Sequence, residues 1–521
     1  MFWNDISQID ETFAYDNEKF LKPENRSSTI FPVFKDLSTK TTIQFLSYWL
    51  KKHGNNVIAR FTLRDLVGEQ LLQWHEAITA CKAYSLQVTD HFNDTKKGFC
   101  GSVEVEIFTK QSPLYTFPAI SVCYEGKKSS SVVHSCIRTY NTGEVVSDYA
   151  IMLPQTGFDV DISDHNTNFI CFFGGVSETY RITIEIIEGD RVKLYPLELR
   201  NDRYGQMHII WIENILDDED IHFFKKPKCL IHHNLHDVFP RFYVGIRNKA
   251  FAPTVTHTFF DTSNAEQSEQ DDKLNLRAQN SDHANYFDAS FSVPLFPSEC
   301  YNTSLRTYGQ NLDFNGTSIL QVHTLEGEII YSRNLTKQEI VVLNGDGTLD
   351  LAEMLQSADL DPKNNYSARF GFVSKTSPFP KRFKLGLNVK RNDFPYGTNI
   401  CFAPLVVSER TLSKPFNRRW FPIGGPQNYV ATIHNTSLNR TEVEGLTECN
   451  FEFFNHQGEA LSRQLNIPLN GSVFIDVKED RELKMFLGSE GGWCMVNSKT
   501  YFCDAYFFSI ADAQVGGDHA Y

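Results

Sequence analysis

The sequence predicts an all-β protein of four tandem β-sandwich modules, of the immunoglobulin-like or fibronectin-like type. Three observations predict this fold: the length of 521 residues, an aromatic content of 13% and a strand–turn–strand pattern that occurs four times. A single hydrophobic core stops growing at about 250–300 residues, so a chain this long should contain several domains. Aromatic side chains favour strands, which indicates sheets rather than helices.

The repeated pattern is an alternating strand, a polar turn that ends in glycine, an acidic residue and a second strand. Alternation with a period of two is typical of a strand with one buried face. The glycine supplies the positive φ that a tight hairpin requires. The four turn glycines are Gly68, Gly189, Gly327 and Gly458.

The spacing of the repeat predicts the domain boundaries. We expect an extended leader over 1–27, followed by modules over 28–135, 136–258, 259–399 and 400–521. A polar segment over 262–284 lacks an apolar period and should be an exposed insertion of the third module. Short helices are predicted only over 45–52 and 217–224.

Charge and composition exclude some classes of partner. The net charge is −14, and no basic stripe stands out, so neither nucleic acid nor an anionic membrane surface is an expected partner. The N-terminus lacks the features of a secretory signal and no apolar run reaches about 20 residues, so the cytoplasm is the expected location. The eleven scattered cysteines predict no disulfide framework. Cys494 and Cys503 would face each other only if they lie on one hairpin.

A histidine recurs after the last strand of three copies, and these residues are the main candidates for binding. They are His134, His257 and His519, the last preceded by Asp518, whereas the third copy has Thr398 at the matching place. Neutral imidazole is the commonest metal ligand in proteins. Equivalent positions in tandem modules should nevertheless lie tens of ångströms apart, and zinc needs ligands within about 2.1 Å. Unless the modules close into a ring, each histidine should instead form hydrogen bonds at a module junction.

Other sequence motifs also suggest binding sites. His232, His233 and His236 fall within six residues and could hold zinc or nickel, or they could be an adventitious surface cluster. The segment 345–353 resembles part of a calcium loop, but Val342 at its first ligand position carries no side-chain oxygen, which favours a hairpin. The carboxylates of Glu104 and Glu106 share one strand face, as either a catalytic pair or a solvated surface would. No nucleophile elbow, P-loop or zincin motif is present, so no cofactor is assigned.

Five strings of the chain are similar to a group of uncharacterised bacterial proteins. The strings lie at 42–49, 101–108, 117–120, 133–135 and 516–521. The genes of that group tend to lie among those for surface-polysaccharide synthesis. The resemblance implies a setting in glycan assembly or the cell envelope, and it brings no catalytic residues to this chain.

The sequence therefore favours a non-catalytic or auxiliary protein that binds a glycan or a partner protein in envelope-polysaccharide assembly. Trp211 and Trp420 are candidates for stacking on sugars, although core packing is more usual. One alternative is a metal- or histidine-dependent enzyme acting on an activated sugar or polysaccharide. Another is a structural or assembly protein, such as a component of a viral particle. Oligomeric state, and whether the modules form a rod or a closed cluster, are left open.

Overall fold

The computed structural model describes residues 26–35, 39–91, 98–109, 117–140, 153–163, 165–248, 251–260, 289–308, 316–336, 348–355, 358–374, 384–394, 397–406, 417–436, 446–498 and 503–521. Within these residues the chain forms four modules, each of two antiparallel sheets. The fold is therefore all-β, as predicted.

In the described part of the chain, the first two modules contain 17 strands and three short α-helices. Module 1 comprises β1 (Arg26–Lys35), β2 (Lys40–Leu46), α1 (Tyr48–His53), β3 (Val57–Asp65), β4 (Gln70–Ile78), β5 (Ala83–Gln87), β6 (Phe99–Phe108), β7 (Ile120–Glu125) and β8 (Ser130–His134). Module 2 comprises β9 (Gln155–Thr156), β10 (Asn166–Phe173), β11 (Thr179–Glu188), β12 (Arg191–Arg200), β13 (Met207–Trp211), α2 (Ile212–Ile215), α3 (Asp218–Phe223), β14 (Lys228–His233), β15 (Tyr243–Asn248), β16 (Thr254–His257) and β17 (Phe259–Phe260).

The last two modules follow the same plan. Module 3 comprises β18 (Ala289–Leu295), β19 (Tyr301–Thr307), β20 (Gly316–His323), β21 (Ile329–Asn334), β22 (Thr348–Asp350), α4 (Leu351–Met354), β23 (Tyr366–Ser374), β24 (Leu385–Arg391), β25 (Gly397–Phe402) and β26 (Leu405–Val406). Module 4 comprises β27 (Asn417–Ile423), β28 (Asn428–Asn435), β29 (Leu446–Asn455), β30 (Ala460–Pro468), β31 (Ser472–Asp476), α5 (Arg481–Leu487), β32 (Gly492–Ser498), β33 (Cys503–Ile510) and β34 (Val515–His519).

The strand order is the same in all four modules. When the first eight strands of each module are lettered a to h along the chain, one sheet has the order a–f–c–d and the other e–b–g–h. Modules 2 and 3 add a ninth strand, β17 or β26, beside strand a. Four identical strand orders identify the modules as copies of one two-sheet unit.

The ninth strands move two module boundaries. β17 at 259–260 completes a sheet of module 2 and β26 at 405–406 completes a sheet of module 3, so these modules extend beyond the predicted ends at 258 and 399. At the N-terminus, β1 already begins at Arg26, inside the predicted leader. The helix predicted over 45–52 starts at Tyr48, because the residues before Ser47 pair in β2. The predicted insertion over 262–284 lies outside the described residues.

The four modules close into a ring. Strand h of each module contacts strand h of the next, so that β8 meets β16, β16 meets β25, β25 meets β34, and β34 meets β8. The hydrophobic core of module 1 is continuous with side chains of two other modules, such as Phe169 of module 2 and Trp493 of module 4. The question left open by the sequence, rod or closed cluster, is answered in favour of the cluster.

Three of the four turn glycines, Gly68, Gly327 and Gly458, lie next to residues of another module. All four have a positive φ, +83° at Gly68, +58° at Gly189, +89° at Gly327 and +88° at Gly458, as the hairpin prediction requires. The turn of module 1 accepts a hydrogen bond at the Leu66 carbonyl from the N–H of Met207, with N···O 3.1 Å. The turn of module 3 repeats this contact, since the Leu325 carbonyl accepts from the N–H of Ser472 at 2.9 Å. The turns of modules 1 and 3 therefore fasten each of these modules to the next.

Replacing Gly327 with alanine should weaken the junction between modules 3 and 4. A Cβ there would lie 2.2 Å from the Leu469 carbonyl oxygen, whereas no described atom lies within 4 Å of the same position at Gly189. In both Gly327→Ala and Gly189→Ala, an alanine at positive φ should lower the free energy of unfolding by about 1–2 kcal/mol. The clash should lower it by about 1–3 kcal/mol more in Gly327→Ala. Urea denaturation of the two variants would measure the difference. Equal unfolding midpoints would contradict this role of the turn.

A buried charge cluster covers the outer face of sheet a–f–c–d in module 1. Glu104 and Glu106 on β6 are only 1% and 3% exposed. Arg64 pairs with Glu104 at 2.9 Å, while Arg26 contacts both carboxylates. Arg60 pairs with Glu106, and the Tyr204 hydroxyl of module 2 donates to Glu104. The two carboxylates are thus neither solvated nor facing a cleft; they hold module 1 to module 2.

His434 on β28 joins modules 3 and 4 and is 1% exposed. Its ring Nδ1 lies 3.0 Å from the Ser367 hydroxyl and 2.7 Å from the Ser472 hydroxyl, and Nε2 lies 3.2 Å from the Thr432 hydroxyl. Burial lowers the pKa of His434 to about 3. The folded protein therefore keeps this ring neutral at pH values where the unfolded chain protonates it.

This difference predicts that the protein loses stability as the pH falls. Below the ordinary histidine pKa of about 6.5, the unfolded state binds a proton at His434 that the folded state does not bind. His434 should therefore lower the free energy of unfolding by up to about 1.4 kcal/mol for each pH unit, until the pH reaches about 3. In the variant His434→Gln the free energy of unfolding should fall less steeply between pH 6.5 and 4. Urea denaturation at several pH values would measure both slopes, and identical slopes would contradict the assignment.

Candidate functional site

The three recurring histidines meet at the centre of the ring. Each ends strand h of its module and belongs to the last pair of the g–h ladder: His134 with Ser121, His257 with Tyr243 and His519 with Tyr506. Because the h strands of the four modules pack against one another, their last residues reach the same point. The expectation that equivalent positions lie tens of ångströms apart is wrong for this reason.

Module 3 contributes a phenylalanine to this centre. The last g–h pair there joins Phe402 to Leu385, so Phe402 and not Thr398 occupies the position of the histidines. Thr398 lies four residues earlier on β25, where its hydroxyl donates to the Gly517 carbonyl at 3.2 Å. The small residue Ala403 that follows Phe402, like those that follow the histidines, is the sequence signal for the correct alignment.

The distances within the cluster are short. Ring centroids lie 4.4 Å apart for His134 and His257, and 4.6 Å apart for His134 and His519. One potential ligand atom from each of the three histidines and Asp518 lies within 4.8 Å of all the others. His257 and Asp518 are both 3% exposed. Within the described residues, no other group of three or more His, Cys, Asp or Glu is close enough to hold a metal ion.

Hydrogen bonds at Nδ1 fix the orientation of two of the rings. Nδ1 of His257 lies 3.0 Å from the Thr258 carbonyl oxygen, and Nδ1 of His519 lies 3.1 Å from that of Ala520. A carbonyl oxygen can only accept, so Nδ1 carries the proton and Nε2 carries a lone pair. Nε2 of His257 is buried and has no hydrogen-bond partner among the described residues. A buried lone pair without a partner is a position where a ligand is expected.

Asp518 orients the third ring. Its Oδ2 accepts from Nδ1 of His134 at 2.7 Å and from the His134 backbone N–H at 2.9 Å, and its Oδ1 accepts from the His519 N–H at 2.8 Å. Burial alone would raise the pKa of Asp518, but the contact with His134 holds it well below its usual range. Asp518 is therefore a carboxylate, and Nδ1 of His134 carries the proton of their hydrogen bond.

The two remaining histidines are neutral at physiological pH. Burial, reinforced by the neighbouring His134, lowers the pKa of His519 to about 4 and that of His257 well below its ordinary value. Neutral imidazole is the form that binds metals. Each of the three histidines donates Nδ1–H to a carbonyl or carboxylate oxygen. Metal-bound histidines in proteins usually make the same hydrogen bond with the ring nitrogen that does not bind the metal.

A cavity of about 520 Å³ opens onto the three histidines. Arg241 lies over the ring of Phe259 at 3.5 Å, and the Lys384 ammonium lies 4.0 Å from the same ring. Arg419 is a third cation in the lining, and Asp504 is a carboxylate there. The cavity is thus wide enough for a small molecule and rich in positive charge.

The histidines at 232–236 do not converge. His232 and His233 are consecutive residues of β14 and point to opposite faces of the sheet. His232 pairs with Glu185 at 2.7 Å, whereas burial lowers the pKa of His233 to about 4. His236 lies beyond the strand, with Nδ1 2.9 Å from the Asn234 carbonyl oxygen. The structure therefore gives no shared metal site to these three residues.

Two further sequence hypotheses have different outcomes. β32 and β33, which carry Cys494 and Cys503, belong to opposite sheets of module 4, so the hairpin considered for them is wrong. Cys494 is a buried free thiol. Of the segment 345–353, which resembles part of a calcium loop, residues 345–347 lie outside the described residues, as does Val342. The remainder forms β22 and α4, where the N–H of Glu353 donates to Oδ1 of Asp350.

No helix in the described part of the chain is long and apolar enough to cross a membrane.

Comparison with protein-family models and with curated proteins finds no match. Among solved structures, the chain is similar to the BSP domain of a biofilm-associated protein, with a TM-score of 0.13, 8% identity and coverage of 97% of this chain and 93% of that one. It is also similar to a tetra-tandem repeat in the extending region of a large adhesion protein (TM-score 0.10, 9% identity, coverage 89% and 91%). The native conformation of the E. coli alpha-2-macroglobulin gives a TM-score of 0.16 at 10% identity, with 95% of this chain matched to 33% of that chain. Scores this low carry no argument about fold or function.

Proposed function

We propose that the protein is a metal-dependent enzyme whose centre is a divalent transition-metal ion bound by His134, His257 and His519. The observation that carries the proposal is the convergence of these rings from three modules, with Nδ1 of each occupied by an oxygen acceptor. Such a set leaves Nε2 of each ring available to a ligand, and one potential ligand atom from each ring lies within 4.8 Å of those from the other two. Asp518 acts behind the ligands by orienting His134.

Zinc is the metal that these ligands fit best, although imidazole also binds copper, iron and nickel. Nitrogen ligands lie about 2.0–2.1 Å from zinc and therefore about 3.3 Å from one another in a tetrahedral site. The potential ligand atoms lie within 4.8 Å of one another. A contraction of about 1–2 Å, within reach of side-chain rotation, would complete the site.

The number of histidine ligands supports a catalytic rather than a structural zinc site. Structural zinc sites use four protein ligands, whereas catalytic sites use three and leave the fourth position to water or substrate. Here the ring supplies three histidines, and the residue from module 3 at the same level is Phe402, which cannot bind a metal. The cavity of about 520 Å³ lies on this centre and gives the fourth position access to a small molecule.

Metal analysis of the purified protein tests this proposal. We expect about one zinc ion per chain after dialysis against trace zinc, and loss of that ion in His257→Ala. The matched control is His232→Ala, which removes a histidine of the same module that is paired with Glu185. Wild-type protein without stoichiometric metal, or equal loss in both variants, would refute the metal centre.

A second candidate function is binding of a glycan, and a specific chamber favours it. A polar cavity of about 300 Å³ lies between modules 2 and 3 and is lined by Asp161, Asn302 and Asp350, among others. Asp159 at its wall accepts hydrogen bonds from Tyr308 at 2.7 Å and from other residues of module 3. Carboxylates and amides are the groups that bind sugar hydroxyls, and the size suits a monosaccharide.

The tryptophans considered for sugar stacking do not support this second candidate. Trp211 and Trp420 pack against the core cluster of module 1. Trp420 is stacked on Tyr48 with ring centroids 5.5 Å apart.

Calorimetric titration with neutral and acidic monosaccharides would test the chamber. We expect millimolar or tighter binding that is lost in Asp161→Asn and kept in Asp512→Asn, whose side chain is exposed. Absence of heat at millimolar sugar would exclude the chamber as a monosaccharide site. The envelope-polysaccharide setting would then be supported only by the sequence resemblance.

A further inference from the structure

Cationic side chains outnumber carboxylates among the described residues that line the cavity above the histidines. The cations are Arg241, Lys384 and Arg419, against Asp504 in the lining and the carboxylate of Asp518 behind His134. Oδ2 of Asp504 accepts from the Ser292 N–H and from the Thr436 hydroxyl, both at 2.8 Å. Burial raises the pKa of Asp504, which favours its neutral form.

The cations Arg241 and Lys384 line the same cavity as the histidines. Arg241 and Lys384 both lie over the ring of Phe259. Their positions are therefore fixed beside the metal centre by contact with an aromatic surface.

We propose that the ligand of this cavity carries an oxyanion, a carboxylate or phosphate group, which binds between the cations and the open position of the metal. This inference rests on the proposed metal centre. A divalent ion added to three cations concentrates positive charge in a partly desolvated cavity, and such charge is stabilised by a bound anion. Arginine and lysine are also the usual residues for binding phosphate and carboxylate oxygens. The volume of about 520 Å³ leaves room for an organic group beyond the oxyanion.

Cobalt-loaded protein provides the test, because the visible absorption of Co²⁺ reports a change of ligand at the metal. Inorganic phosphate and acetate, each titrated at constant ionic strength with chloride as the control salt, should change the spectrum in a saturable way at millimolar concentration or below. In Arg241→Gln and Lys384→Gln the phosphate dissociation constant should rise about tenfold, with cobalt stoichiometry unchanged. The control is Lys478→Gln at an exposed position, which should behave as wild type.

The outcomes separate this inference from the proposed function. If cobalt binds but neither anion changes the spectrum at tens of millimolar, the oxyanion inference fails and the metal centre stands. The inference also fails if phosphate binds Arg241→Gln and Lys384→Gln as tightly as it binds the wild-type protein. If cobalt does not bind, the metal centre is refuted and phosphate is titrated calorimetrically into the metal-free protein. Phosphate binding that Lys384→Gln weakens would support the oxyanion site without the metal. Absence of phosphate binding would refute the oxyanion site as well.

Discussion

Gly516→Ala should strongly weaken metal binding, although it changes none of the ligands. A Cβ at this position would lie 2.4 Å from the Ser130 carbonyl oxygen and 2.7 Å from the Ser131 Cα. Both atoms are backbone of β8, so β34 would have to move away from β8. His519 and Asp518 are on β34 and His134 is on β8. Because metal ligands must be placed to within about 0.5 Å, we expect at least about a hundredfold loss of zinc affinity.

Competition with a chromophoric zinc chelator would measure this loss. The control is Gly98→Ala, where a Cβ would make an ordinary contact, 3.5 Å from the Lys35 carbonyl oxygen. Far-ultraviolet circular dichroism should show that both variants keep their β structure. Wild-type affinity in Gly516→Ala would mean that the approach of β34 to β8 does not position the ligands.

Arg64→Met should destabilise the protein by about 3–5 kcal/mol, the usual cost of leaving a buried charge without its partner. The Arg64–Glu104 pair is buried, with side-chain exposures of 11% and 2%. Methionine keeps much of the side-chain volume but removes the charge. Arg26 would remain near Glu104 at 3.2 Å, which places the expected effect at the lower end of this range.

The control for this variant is Arg181→Met. Arg181 pairs with Glu198 at 3.8 Å, but the two side chains are 79% and 69% exposed. An exposed pair of this kind contributes at most about 1 kcal/mol. Chemical denaturation of both variants would give the comparison, and similar effects would show that the charge cluster of module 1 does not stabilise the fold.

The fold was predictable because its signals are local. Period-two alternation and a glycine at each hairpin turn are properties of a few consecutive residues, and the positive φ at Gly68, Gly189, Gly327 and Gly458 confirms the turns. The ninth strands were missed for the opposite reason. β17 and β26 have two residues each, which is too short to show any alternation.

The site was only partly predictable, because ring closure leaves little trace in the sequence. Several contacts between modules use backbone groups, such as the N–H of Ala513 donating to the Lys128 carbonyl at 2.9 Å. Any residue type except proline can make such a bond. The recurring histidines and Asp518 were visible as a pattern, but their convergence depended on this closure. Arg241 and Lys384 belong to no repeated motif and were not identified from sequence.

The phenylalanine at the fourth position of the centre has a consequence for how such a site can be assembled. Four separate copies of one module, related by exact fourfold symmetry, would present the same side chain at every position of the axis. A metal there would meet four histidines or none. When the modules are joined in one polypeptide, each module can mutate independently. Module 3 can then place Phe402 at the centre while the other three modules place histidines there. Asymmetry of this kind is open to a covalently linked pseudo-tetramer and closed to four identical subunits with exact fourfold symmetry.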